Sequence, residues 1–551
     1  MRGVPERGLV AFDRAAMVRR LADETFDVVV VGGGITGVGV ALDAASRGLR
    51  TALVEKGDFA SGTSSKSSKL VHGGLRYLQQ GDIRLVYEAL AERQRLRNNA
   101  PHLVRVLPFL IPILTRDGVV NAKIARALGT AMWGYDLTGG LRIGKRHKRV
   151  SATEALGYLP TMPAERLASA YLYYDARADD ARLCLTVART AAAHGAAVAN
   201  YAAVTGLRKD TGGTVTGVTV EADDATIAVS APVVVNATGV WSDDVRALDE
   251  GVHPRSIRPA KGVHITLPWD KVRNEIAVVI PVPKDRRSLF VVPWGDQTYV
   301  GTTDTDYDGP LDDPQCTADD VAYMLRALNH SITTGITEAD IVGTWAGLRP
   351  LVRQAGGRTA DLSRRHRVTT SPSRLVSVTG GKLTTYRRMA ADTVDEVMAL
   401  LDRRGRSRTK RLRLLGADGY VEPADNAGRA AHLASRYGSE AALVETLLDT
   451  DPALGRPLVP GLPYLGAEAV HAARHEMAVT LDDILSRRTR ARLLARDASV
   501  SAASDVARIV APALGWDGAE QDRQVRAYVE AVGRERGAAG LPAALDAAFG
   551  A

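Results

Sequence analysis

A chain of 551 residues is too long for a single hydrophobic core and calls for roughly two to four domains. Its 45% apolar and 24% charged residues exclude a disordered or fibrous protein and leave enough apolar surface to enclose a cofactor. The net charge of +8 is modest, and two isolated cysteines, Cys184 and Cys316, exclude a disulfide framework or a thiolate metal site. A reducing compartment and no metal are expected.

The first residues carry Arg2, Glu6, Arg7, Asp13 and Arg14 and lack the apolar centre of a signal peptide. Phe26 to Glu55 reads as strand, glycine turn, helix, strand. Gly32, Gly34 and Gly37 form G-x-G-x-x-G directly behind the apolar run Val28–Val31, and the following helix places Val38, Ala41, Leu42 and Ala45 on one face. Gly32 permits the tight turn, Gly34 lets the backbone approach a pyrophosphate, and Gly37 lets the helix lie close on the strand. The second strand, Thr51–Val54, closes with Glu55, 18 residues after Gly37, the spacing at which an acid reaches a ribose hydroxyl. A dinucleotide is therefore expected on Gly32, Gly33, Gly34, Thr36 and Gly37, with Glu55 and Lys56 at the ribose end. The unit's place at the head of a long chain favours FAD over NAD.

Further along, the uncharged windows Thr190–Leu207 and Ala225–Ser242 are interrupted by Gly195, Gly206, Pro232, Asn236 and Gly239, so they read as soluble elements. Any membrane contact is expected to be peripheral. Thr214–Val220 alternates as a strand, and Val233–Val235 is a short, fully buried one. Between Ile257 and Thr303 the β-branched runs Val263–Leu267, Ile276–Ile280, Leu289–Val292 and Thr298–Gly301 predict an antiparallel sheet. Two basic runs stand out, one at Arg142, Lys145, Arg146, Lys148 and Arg149, the other at Arg403, Arg404, Arg406, Arg408, Lys410, Arg411 and Arg413. Such runs are usually solvated linkers, with anionic lipid or a phosphorylated substrate as alternatives. No RNA module or aromatic platform accompanies them, so no nucleic-acid partner is expected. Beyond the second run, Ala427–Tyr437, Glu440–Leu448, Ala467–Met477, Leu481–Leu494 and Val500–Leu514 have helical apolar spacing, which places a boundary near residue 410.

The stretch Ser64-Ser-Lys-Ser-Ser-Lys-Leu-Val-His72-Gly-Gly-Leu-Arg76-Tyr77 resembles the FAD-dependent glycerol-3-phosphate dehydrogenases. The motifs Asp179-Asp-Ala-Arg-Leu183, Lys261-Gly-Val-His264, Gly301-Thr-Thr-Asp304, Gly347-Leu-Arg349-Pro-Leu351 and Gly380-Gly-Lys382-Leu-Thr-Thr-Tyr-Arg387 follow in the family's order. The resemblance spans residues 25 to 400 and continues more weakly through Glu476–Thr489. It implies an α/β Rossmann-type FAD-binding domain (20–80, 170–250, 340–400), an antiparallel-sheet cap domain (81–169, 251–339) and an all-α domain (414–551). It also implies oxidation of sn-glycerol 3-phosphate to dihydroxyacetone phosphate. Electrons would pass from FAD to a membrane quinone or, in one branch, to oxygen. An amine oxidase of the sarcosine or glycine type, sharing the fold, is the rival reading.

For FAD the resemblance adds Thr63, Ser64, Ser67, Ser68, Lys69, Gly239, Trp241, Gly381, Lys382, Leu383 and Thr384. A phosphate monoester needs cationic side chains, and Arg76, Arg349, Lys382 and Arg364 are the candidates, with Tyr77 beside them. Loss of hydride from carbon 2 requires a base for the hydroxyl proton. His72 is the first candidate and His264 the second, with Arg349 also placed at the reacting centre. Leu107–Leu114, Val119–Leu141 and the first basic run suggest a surface for anionic lipid on the cytoplasmic face of the plasma membrane. The competing expectation for that segment is a helix covering the protein's own core. A homodimer is entertained as the assembly.

Overall fold

The computed structural model describes residues 12–74, 83–115, 145–285, 287–353, 366–424 and 428–542. Val28–Val31 is apolar throughout because it is a fully buried inner strand of its sheet. It pairs in parallel with Thr51–Val54 on one side and Val234–Asn236 on the other. Ala197–Ala199 extends one edge, and the hairpin Arg367–Thr370 and Leu375–Thr379 extends the other, giving six strands. The helix Ile35–Ser46 lies between the helices Asp180–Ala193 and Tyr386–Leu400. Its Gly39 makes the approach possible, since a Cβ there would sit 2.7 Å from the ring of Tyr386. A separate three-stranded antiparallel sheet contains Val215–Ala222, the alternating strand expected near Thr214–Val220.

The β-branched runs after Ile257 form strands Ile257–Pro268, Ala277–Pro281, Ser288–Trp294 and Gln297–Gly301 of a ten-stranded second sheet. It is antiparallel except that Ala277–Pro281 runs parallel to Arg105–Leu114, because a long crossover separates those two. Gly343–Val352, inside the span 340–400, and Leu167–Arg177, most of which falls in the span 170–250, also pair in this sheet. Alternate residues of Arg105–Leu114 serve opposite faces. Phe109 and Ile111 turn to a cavity between the sheets, while Leu110 and Leu114 join the core beneath helix Ala318–Ser331. This corrects the reading of Leu107–Leu114 as lipid-facing: its apolar residues are consumed by the protein's own two faces. Val119–Leu141 and Arg142 lie outside the described residues.

Among the described residues no strand follows Thr379, and the chain beyond Gly428 is helical. Gly428–Tyr437, Ala441–Thr450, Gly466–His475 and Ala503–Leu514 match the periodic segments of the sequence, and a long helix, Gly518–Ala538, closes the domain. Leu481–Leu494 is not one helix. A π-helical turn at Asp483–Arg488 gives way to Arg490 at φ 62°, and a short helix resumes at Ala491. The second basic run is not a free linker either. Ser407 and Thr409 donate their hydroxyls to Asp43 at 2.5 and 2.8 Å, Asn99 grips the Thr409 carbonyl, and Arg403 pairs with Asp27. Small polar residues face inward, and cations face outward.

Candidate active site

A cavity of about 1100 Å³ separates the two sheets, and the glycine turn forms one end of it. Gly32 turns the chain at φ 111°, where a Cβ would lie 2.8 Å from the carbonyl oxygen of Ala237. A Cβ on Gly37 would lie only 1.8 Å from the oxygen of Gly32, so this glycine sets the helix against the strand. Gly34 differs. It caps the helix at an ordinary φ of −75°, and a Cβ there would meet only the Ser64 hydroxyl at 3.1 Å. The protein leaves the space above Gly34 open, as a pyrophosphate cradle at a helix N-terminus requires.

Ser64 accepts the Ile35 amide at 2.8 Å, and Thr63 fastens this turn to the Leu348 carbonyl at 2.5 Å. The Glu55 carboxylate spans the amides of Gly33 and Gly57 at 2.6 and 2.8 Å and lines the cavity, where burial raises its pKa. Thr36, Lys56 and Trp241 line the same end, the Lys56 ammonium lying 4.4 Å above the Trp241 ring. Gly239, at φ 63°, turns the chain into Trp241. Gly380 and Gly381, at φ 75° and 83°, lead Lys382, Leu383 and Thr384 along the wall into the N-terminus of helix Tyr386–Leu400. This glycine cradle, ribose-end acid and second helix terminus fit FAD.

The other end is built from the second sheet. Arg349 reaches Asp304 at 3.0 Å, Thr302 at 3.1 Å and the Thr303 carbonyl at 3.3 Å, and it remains 22% exposed toward the cavity. Gly262 makes room for it, since a Cβ there would sit 2.5 Å from the guanidinium. His264 stacks on Trp345 with ring centres 4.7 Å apart, and its Nε2 meets the Ser68 hydroxyl at 2.9 Å. Burial, with Lys69 and Arg349 nearby, holds its pKa well below the usual value, so the ring is neutral. His72 lines the cavity between the two ends, its amide donating to the Thr384 hydroxyl at 3.2 Å. Lys382 lines the cavity on the glycine-rich wall.

Most of the sequence candidates therefore meet around one space, with three kinds of exception. Gly33 and Gly37 act from behind the turn. Lys69, expected at the cofactor, points away from the cavity at φ 56° and donates to Asp180 and the Ser65 carbonyl, both at 2.9 Å. Burial, then the positive charge of Arg490, lowers its pKa to about 8. Arg76, Tyr77 and Arg364 lie outside the described residues. Sequence reasoning quoted the motifs holding Gly262 and Asp304 but gave neither a role, and it missed Trp345 and Arg287, which fastens the Asp304 carbonyl at 2.8 Å. The signal available was the glycine at 262 beside a histidine in a strand, where a missing side chain implies a neighbour.

Residues 27–387 match the family model described as FAD dependent oxidoreductase, and residues 407–521 match the C-terminal domain of alpha-glycerophosphate oxidase. The glycerol-3-phosphate dehydrogenase 2 of Mycobacterium tuberculosis is 42% identical over 548 residues, covering 97% of this chain and 92% of that one. The chain belongs to the FAD-dependent glycerol-3-phosphate dehydrogenase family. A dehydrogenase of Mycobacterium leprae is likewise 42% identical, over 95% of this chain and 91% of its own length. Among solved structures, the Bacillus halodurans glycerol-3-phosphate dehydrogenase complexed with FAD is 31% identical, with a TM-score of 0.76 over 95% of this chain and 97% of that one. The Mycoplasma pneumoniae L-alpha-glycerophosphate oxidase, 18% identical with a TM-score of 0.55 over 70% of this chain and 97% of its own, shares the fold. FAD is the cofactor of this dehydrogenase family member.

Proposed function

We propose that this chain oxidises sn-glycerol 3-phosphate to dihydroxyacetone phosphate. The observation that carries the reading is the Arg349 guanidinium, seated against Gly262 and facing the cavity that His264 also lines. FAD, bound along the glycine turn, supplies the hydride acceptor. Arg349 and Lys382 hold the phosphate and orient carbon 2. His72 takes the hydroxyl proton, and removing it avoids positive charge on that oxygen as hydride leaves. His264, whose Nε2 is engaged by Ser68, orients the substrate and is the second candidate for the base. The N-terminus of helix Tyr386–Leu400 places partial positive charge at the cavity wall.

The acceptor we propose is a quinone, reached from the cytoplasmic face of the plasma membrane. No helix among the described residues is long and apolar enough to cross a membrane, so the association would be peripheral. The rival acceptor is oxygen, and stoichiometric peroxide during turnover would favour it. Steady-state dye reduction with product analysis tests the substrate: glycerol 3-phosphate should yield dihydroxyacetone phosphate, and glycerol should be inert. Equal turnover of sarcosine would place the chain among amine oxidases. His72→Ala should retain FAD and slow flavin reduction by about 10²- to 10⁴-fold. A full-rate variant would move the base to His264.

A further inference from the structure

The C-terminal domain touches the catalytic cavity's supports from behind, at one point with unusual density. Arg490, buried and held at φ 62°, donates through Nε to Asp179 at 3.0 Å, through Nη2 to Asp180, and through Nη1 to the carbonyls of Ser486 and Ser65. Asp180 in turn accepts the Ser67 hydroxyl at 2.6 Å, the Ser67 amide at 3.1 Å and the Lys69 ammonium at 2.9 Å. Those bonds hold a turn whose next residue, Lys69, has a left-handed backbone that a non-glycine residue adopts only when its surroundings over-determine it. Between Ser67 and Lys69 stands Ser68, whose hydroxyl meets His264 Nε2 at 2.9 Å. Trp345, the ring stacked on His264, also donates to the Ser67 carbonyl.

We infer that Arg490 is a positioning residue for the active site, fixing the His264 ring through Asp180 and the Ser67–Lys69 turn. The helical domain thereby sets the geometry of a cavity it does not line. The inference rests on the proposed function, because it gives His264 a part in that reaction. A guanidinium is required, since its planar fork serves two carboxylates and two carbonyls at once, whereas an ammonium is a point charge.

The test uses the holoenzyme and single-turnover flavin reduction by saturating glycerol 3-phosphate. Arg490→Lys should keep FAD and slow reduction about tenfold, and Ser68→Ala should slow it comparably. The double variant should be no slower than the worse single one, because both act through one contact. Arg189→Lys serves as control. It loosens another buried pair of the same interface, Arg189 with Glu440 at 2.8 and 3.1 Å, and should leave the reduction rate unchanged. Multiplicative slowing in the double variant, a full rate in Arg490→Lys, or equal slowing in Arg189→Lys would overturn the inference. If Arg490→Lys cannot hold FAD, Ser68→Ala decides alone, and a rate within twofold of the parent overturns it. A parent protein that glycerol 3-phosphate does not reduce overturns the proposed function and this inference together.

Discussion

The two ends of the flavin-binding unit are held by opposite means. Around Gly32–Gly37 the structure depends on what is absent: side chains are missing where the backbone must touch the backbone, and the neighbouring strands are apolar. On the far side, against the helical domain, the contacts are buried charges. Asp58 is fully enclosed and accepts from Arg487 at 2.6 Å and from Arg488 at 2.6 and 2.8 Å; Arg182 pairs with Glu476, and Arg189 with Glu440 at 2.8 Å. Close packing of glycine fixes a surface that must accept a ligand, and it tolerates almost no added atom. Buried ion pairs join two units whose relative orientation is then specific, because any shift strands a charge.

The largest effects are expected at the glycine turn, and they should divide. Gly37→Ala drives a Cβ into the Gly32 carbonyl and should cost at least about 3 kcal/mol of stability along with the flavin. Gly34→Val adds bulk only over the open cradle, so it should give folded, colourless protein. Equal thermal destabilisation of the two variants would break the distinction between packing and cradle glycines. Next comes the charged side. Asp58→Ala removes both carboxylate bonds of buried Arg488 and should lower unfolding free energy by roughly 3–5 kcal/mol. A loss below 1 kcal/mol in denaturant titration would show that this interface is not held by its ion pairs.

The difference between the regions also explains what was legible. The βαβ unit is local, so the strand–turn–helix pattern and the spacing from Gly37 to Glu55 carried it whole, and the helical periodicity after residue 410 carried the third domain. The charged interface pairs residues hundreds of positions apart: Arg490 with Asp180, Arg487 and Arg488 with Asp58. No periodicity encodes such a partner. Lys69 was misplaced for this reason, since a lysine beside serines expected at the flavin reads as a ligand until its ammonium is seen to be held by Asp180. The Asp179-Asp180 pair opening a helix and the Arg487-Arg488-Thr489-Arg490 run are visible in the sequence, yet only the fold shows that they answer each other. The basic run at 403–413 misled in the opposite way, because Ser407 and Thr409, its least conspicuous members, are the ones that anchor it.

A smaller effect is expected from acid. Burial raises the carboxyl pKa of Glu468 and Glu476, but Arg436 beside the first and Arg182 beside the second overcome it and bring each to about 2, from the usual 4.5. Carboxyls depressed in the folded state stabilise it fully above their unfolded pKa and lose that contribution as pH falls toward the folded value. The melting temperature should therefore hold above about pH 4.5 and decline between there and pH 2, with proton uptake on unfolding. An unchanged melting temperature between pH 5 and pH 3 would contradict the assignment. The smallest effect belongs to charge pairs in water. Arg508 and Asp505 lie 2.6 Å apart but are 71% and 69% exposed, and Arg508→Ala should change stability by less than about 1 kcal/mol.

The central claim is that a phosphate-bearing alcohol is oxidised where Arg349, Lys382 and His72 meet the flavin site. The most direct measurement is anaerobic mixing of the yellow holoenzyme with glycerol 3-phosphate while the flavin absorbance is followed. Full bleaching with one equivalent of dihydroxyacetone phosphate per FAD is the expected result, and Arg349→Met should need a much higher substrate concentration to reach it. An oxidised flavin spectrum that persists at millimolar glycerol 3-phosphate would contradict the claim.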